Sequence, residues 1–186
     1  MCLFYDMKSL SHILIAFYLL LIIKFVVLKD MDMILIGHMR FYFGGTQTGD
    51  ANWIPFKTLL AYFMGNKGLL IAGLNLAGNL LILAPLGFLI PTGFPEIRWR
   101  TICILAFCAS LSIELIQHIF QIGIFDVDDV LLNSLGFILG FYLSTRVSRN
   151  WKKSFALFFA AVLLGFFLYY LTHSVPMTPM PAMTKP

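Results

Sequence analysis

Five stretches of this chain are long and apolar enough to cross a bilayer, and that feature limits the fold more than any other. A spanning helix needs about 20 mostly apolar residues. Residues 10–28 form the first such stretch, interrupted only by Lys24, which can snorkel to the headgroups. No small-x-small cleavage site follows it, so it reads as a span and not a signal peptide. Residues 69–90, 101–122 and about 127–144 follow, and residues 155–171 carry no charge at all. Composition agrees: 60% of residues are hydrophobic and 12% charged, with mean hydropathy +0.87. Soluble chains run at about 45–50% apolar and about 25% charged. A disordered chain, a basic nucleic-acid binder and a disulfide-stapled secreted domain are excluded. Cys2, Cys103 and Cys108 form no C-x-x-C and read as small buried hydrophobes.

The expected fold is therefore all-α: a polytopic membrane helix bundle of about five transmembrane helices. Residues 29–68 form the long connection, and Trp53-Ile54-Pro55-Phe56 within it suits the membrane interface. Residues 173–186 hold Pro176, Pro179, Pro181 and Pro186 and read as a disordered tail. The net charge of +4 is topological. Arg98 and Arg100 lie in one connection, Arg146, Arg149, Lys152 and Lys153 in another, and Lys8 joins them at the N terminus. The connection between spans three and four has no Lys or Arg, but has Asp126, Asp128 and Asp129. The positive-inside rule places the N terminus in the cytoplasm and the long connection outside. Lys24 and Lys29 point locally the other way, and the two short one-sided loops outweigh them.

Polar groups inside spans are costly and require a reason. Span three carries Glu114, Gln117, His118 and Gln121 at offsets of three, four and seven, hence on one helical face. Span two carries Asn75 and Asn79, and Asn133 lies one turn below Asp129. Measured from the outer ends, Asn75 and Asn79 fall at roughly 8–14 Å, Glu114 at roughly 12 Å, Gln117 and His118 at roughly 6–8 Å, and Asn133 at roughly 9 Å. Matching depths on three helices describe a polar cavity open to the outside. The asparagines read equally as interhelical hydrogen-bonding groups, and Asp126 and Asp129 equally as helix caps. Gly136 and Gly140 read as a close-packing pair, and Pro85 as a break that frees a backbone carbonyl.

These residues also carry a resemblance. Asn75-Leu-Ala-Gly-Asn79 with Ala84-Pro85-Leu-Gly87-Phe88 and Pro91, Ser112-Ile-Glu114-Leu-Ile-Gln117, and Phe125-Asp126-Val-Asp128-Asp129-Val-Leu-Leu-Asn133-Ser134-Leu-Gly136 stand in order. Together they resemble the N-x-x-x-N…P-x-G-x-x-x-P, E-x-x-Q and F-D-x-D-D-x-x-x-N-x-x-G blocks of VanZ-like membrane proteins. Asn52-Trp-Ile-Pro55-Phe56, following Arg40, resembles the family's N-x-x-P-F element. The resemblance covers a core of residues 40–145. One departure is the absence of a basic residue ahead of the F-D-x-D-D block, where Gly123 and Ile124 stand. Arg40 is then the basic residue left to meet an anionic headgroup.

The resemblance implies a multi-pass protein of the cell membrane linked, like the family's namesake, to teicoplanin resistance in Gram-positive bacteria. It marks Asn75, Asn79, Glu114, Gln117, His118, Asp126, Asp128, Asp129 and Asn133 as a functional face, with Arg40, Asn52, Pro55 and Phe56 in the outer connection. The expected partners are membrane lipids and a lipid-linked cell-wall precursor or lipoglycopeptide, and not nucleic acid; no cofactor and no metal is expected. Three other functions stay open, one of them a purely structural or assembly role. A membrane enzyme would use Glu114 as base with His118 beside it, although H-E-x-x-H, G-x-S-x-G and S-x-x-K are absent. His118 beside Glu114 reads equally as a metal ligand, and the D-x-D-D run is a weaker hard-cation signal than an EF-hand loop. A small proton-coupled transporter would use Glu114 and His118 as a relay, but the inner halves of spans two to four show no through-path.

Overall fold

The computed structural model describes residues 2–24, 32–36, 39–43, 49–64, 69–121, 123–173 and 175–176, with side chains for residues 7–24, 49–64, 72–121 and 123–172. Seven helices carry the fold among these residues. The first is α1 (Cys2–Ile22); α2 (Lys57–Phe63) is short; α3 (Leu69–Ile82) and α4 (Ala84–Gly93) follow; then come α5 (Trp99–Ile119), α6 (Val127–Arg146) and α7 (Arg149–His173). Four spans are long and apolar enough to cross a membrane: α3 and α4 together, α5, α6 and α7. The apolar part of α1, Met7–Ile22, is shorter. The molecule is an all-α membrane helix bundle. A small sheet of order β2-β1-β3 adjoins it, made of β1 (Asp32–Ile36), β2 (Met39–Phe43) and β3 (Val175–Pro176).

The helices alternate in direction. Ser110 Oγ donates to the Val130 carbonyl at 2.7 Å and Ser134 Oγ lies 3.4 Å from the Ala106 carbonyl, so α5 and α6 are antiparallel. The Gly136 and Gly140 backbone rests on Leu80 and Ala84, so α6 runs parallel to α3 and α4. His12 reaches the Gly93 carbonyl and Tyr18 the Ile82 carbonyl, which sets α1 antiparallel to that pair. The bundle thus has two ends, one holding the sheet, α2 and the start of α6, the other the α4–α5 and α6–α7 connections.

Close backbone approach holds α6 to the broken span. A Cβ on Gly136 would lie 1.8 Å from the Leu80 oxygen, one on Gly140 2.1 Å from the Ala84 oxygen, and one on Gly87 1.9 Å from the Phe137 oxygen. Lipid offers apolar helices no hydrophobic reason to associate, so contact of this kind does the work. The break falls at Leu83, ahead of Pro85, because proline cannot continue the hydrogen-bond ladder. Tyr18 donates to the Ile82 carbonyl at 2.8 Å, satisfying a backbone acceptor at the break. Leu83, Leu86, Ile102, Ala106, Ile113 and Phe137 pack the centre. Met7, Leu14, Leu89, Ala156 and Leu163 join α1, α4 and α7.

Several expectations shift. The first helix begins at Cys2, before residue 10, and residues 25–31 lie outside the described part. The fifth begins at Arg149 and so includes Lys152 and Lys153. The long connection contains a hairpin and α2, and the tail expected to be disordered contributes Val175–Pro176 to the sheet; residues 177–186 lie outside the described part. Cys108, read as buried, is exposed on the outer surface of α5, and Cys103 is half-buried. A thiol is apolar enough to face lipid.

Candidate functional site

The loop before α2 and the start of α6 form one hydrogen-bonded unit. Asn52 pairs with Asp126 in a parallel bridge: its N–H donates to the Phe125 carbonyl at 2.8 Å, and its own carbonyl accepts from Val127 N–H at 3.0 Å. Asp126 is the N-cap of α6, accepting from Asp128 N–H at 2.9 Å. Its carboxylate also accepts from Asn52 Nδ2 at 3.0 Å and from the Thr58 hydroxyl. Asp128 is fully buried and serves a different helix. It accepts from the backbone N–H groups of Phe56, Thr58 and Leu59, the last two at 2.9 and 3.1 Å. Those amides open α2 and have no acceptor within their own helix. Asp128 is therefore the cap of α2, supplied from α6. Phe56 takes φ 67°, a left-handed conformation that turns the chain into α2.

Beside this unit lies a second polar group. Asn79 Nδ2 donates to Asp129 Oδ1, and Asn75 Nδ2 donates to the Tyr62 hydroxyl at 2.9 Å. Tyr62 is buried, and its phenol pKa is raised by desolvation first and by the negative charges of Asp129 and Asp126 next. The phenol stays protonated at neutral pH. Glu114 is buried on α5, one turn beyond Ser110, and the antiparallel register sets it level with Asp126. Asn133 is buried one turn below Asp129, and its Oδ1 has no hydrogen-bond partner among the described residues.

The face foreseen on α5 divides. Glu114 is buried, Gln117 half-buried beside Gly123, and His118 exposed with its ring edge-on to Phe125 at 6.4 Å. Gln121 leaves the face, because α5 ends at Ile119 and Gln121 adopts φ 56°. Arg40 lies in β2 opposite Leu35, and its side chain is outside the described part. Pro55 and Phe56 are exposed at the turn into α2. Among the described residues no group of three or more His, Cys, Asp or Glu could hold a metal ion. Thr58 and Tyr62 are the residues missed by sequence reading. They lie one helical turn apart in α2, directly after the N-x-x-P-F element, and that spacing was the available signal.

Above the polar groups the connection presents apolar surface. Trp53 stacks on Phe125 at 4.4 Å while remaining 66% exposed, and Ile54, Phe56, Leu60, Phe63 and Met64 are exposed too. Such a segment is suited to the interfacial layer. Buried carboxylates and amides gathered at one end of a bundle of apolar helices, beside an exposed apolar segment, define an integral membrane protein with a polar cluster at one end. The chain belongs to the VanZ/LLP1 family, whose sequence pattern matches residues 15–149. It is 35% identical over 99 residues to Protein VanZ of Enterococcus faecium, a match covering 51% of this chain and 62% of that protein. The chain thus spans less than two thirds of the curated relative it matches. No solved structure matches it.

Proposed function

We propose that this is a multi-pass protein of the cell membrane, N terminus cytoplasmic, that contributes to glycopeptide resistance or envelope homeostasis by binding a lipid-linked ligand at the end bearing Asp126 to Asp129. The observation that carries this reading is the adjacency of two unlike surfaces. The Asn79–Asp129 and Asn75–Tyr62 pairs supply carboxylate, amide and phenol groups. The exposed Trp53, Phe56, Leu60 and Phe63 supply an apolar track beside them. An amphiphile with a hydroxyl- and amide-rich headgroup and an acyl chain matches both. A lipid-linked cell-wall precursor and a lipoglycopeptide such as teicoplanin share that chemistry. Family membership supports the link to resistance.

The reading assigns Asp126 and Asp128 to holding the rim, and Asp129, Asn79 and Glu114 to the ligand. The test is the inhibitory concentration of teicoplanin, with vancomycin in parallel, in a susceptible Gram-positive host expressing wild type, Asp129→Asn or Glu114→Gln at matched membrane levels. Selective protection against the lipidated drug by wild type, lost in both variants, is the expected result. Equal protection by wild type and variants removes the polar site from the function.

A further inference from the structure

A cleft of about 620 Å³ opens at the end of the bundle opposite the aspartates. Its walls come from three places: Lys8 on α1, Gly93 at the end of α4, and Glu96, Arg98 and Thr101 around the start of α5. The volume is within the usual range for small-ligand sites, about 300–1,000 Å³. The side chains of Lys8, Glu96, Arg98 and Thr101 are all exposed.

We propose that this cleft binds the phosphodiester headgroup of a membrane lipid, the phosphate held by Lys8 and Arg98 and a hydroxyl or ammonium donor of the headgroup facing Glu96. Positive charge at this end is expected from topology alone, and topology requires no cleft. The structure adds two cations on different helices converging on one concave site, the arrangement by which basic pockets between spans take anionic headgroups. The site also includes the start of α5, a helix of 21 residues with no side-chain cap and no acidic residue in its first turn. Its first amides lack intrahelical acceptors and its dipole favours an anion. Trp99, half-exposed, flanks the site where an indole marks the headgroup layer. Glu96 sets the class of headgroup: a carboxylate in the same cleft disfavours a bare phosphate monoester and favours a diester that also carries a donor.

The test uses the full-length protein in detergent micelles at low ionic strength, titrated with phosphatidylglycerol, phosphatidylcholine or inorganic phosphate, with bound lipid counted by native mass spectrometry. Wild type should bind phosphatidylglycerol in preference to phosphatidylcholine. Lys8→Gln with Arg98→Gln should weaken that binding about tenfold or more. Lys152→Gln with Lys153→Gln removes equal charge at the same end of the bundle but outside the cleft, and should leave binding unchanged. Equal binding of phosphatidylcholine overturns the proposal, as does an equal loss in the Lys152/Lys153 variant. Displacement of the lipid by inorganic phosphate at comparable concentration reassigns the cleft to the free anion. Lys8, Arg98 and Lys153 are exposed and Lys152 is half-buried, so melting temperatures should stay close to wild type; a Lys8/Arg98 variant that melts normally and still binds also overturns the proposal.

Discussion

Asp128 does more for the connection than for the helix it belongs to. The Phe56 amide and two α2 amides converge on its buried carboxylate. Asp128→Ala strands them, at a cost of about 2–3 kcal/mol. Hydrogen exchange on the full chain in detergent should then accelerate across residues 57–63 while α5 stays protected. Asp129→Asn keeps all three bonds to Asp128, so exchange at the Thr58 and Leu59 amides should accelerate far less than in Asp128→Ala. Gln121 offers a prediction of opposite sign. Its φ of 56° costs a side-chain-bearing residue about 1–2 kcal/mol, and glycine adopts it freely. Gln121→Gly should raise thermal stability by about 1 kcal/mol. The three aspartates were legible as a group and their division of labour was not. Carboxylates near a helix start read as caps of that helix, whereas Asp128 caps a helix some seventy residues earlier in the chain. A partner that distant leaves no trace in local spacing.

At the scale of elements, α6 is fixed by glycine. Gly136→Ala or Gly140→Ala forces a methyl into a backbone oxygen and should cost about 1–3 kcal/mol in a detergent melt. Gly73→Ala is the control. Nothing lies within 4 Å of its Cβ position, so the melt should hold or rise slightly. The spans were legible because lipid permits few solutions: apolar length announces a helix, Pro85 announces the break, and the Gly136–Gly140 spacing announces close packing. The hairpin of β1 and β2 was overlooked. Its runs are only five residues each, and apolar runs that short do not separate strand from helix by periodicity. Tyr62 was not legible, because a lone tyrosine in a long connection looks ordinary until Asn75 is found against it.

For the whole molecule, the alternation of helix direction puts the Arg- and Lys-bearing connections at one end and the aspartates, α2 and the sheet at the other. In a background with Cys2, Cys103 and Cys108 replaced by Ser, a membrane-impermeant maleimide added to intact cells should label Asp50→Cys and Ile124→Cys. It should label Glu96→Cys and Ser148→Cys only after the membrane is opened. The reverse pattern inverts the orientation and moves the polar site to the cytoplasmic face. The parallel bridge between Asn52 and Asp126 carries a consequence for chimeras. Residues 49–64 and 123–130 are one structural part encoded in two places, interlocked by backbone and carboxylate hydrogen bonds. A crossover with a relative anywhere between residues 64 and 123 joins halves that have never been fitted to each other. A double crossover that moves both segments together keeps the part whole, so donor exchange, whether by a designer or by recombination, succeeds only when it respects that pairing.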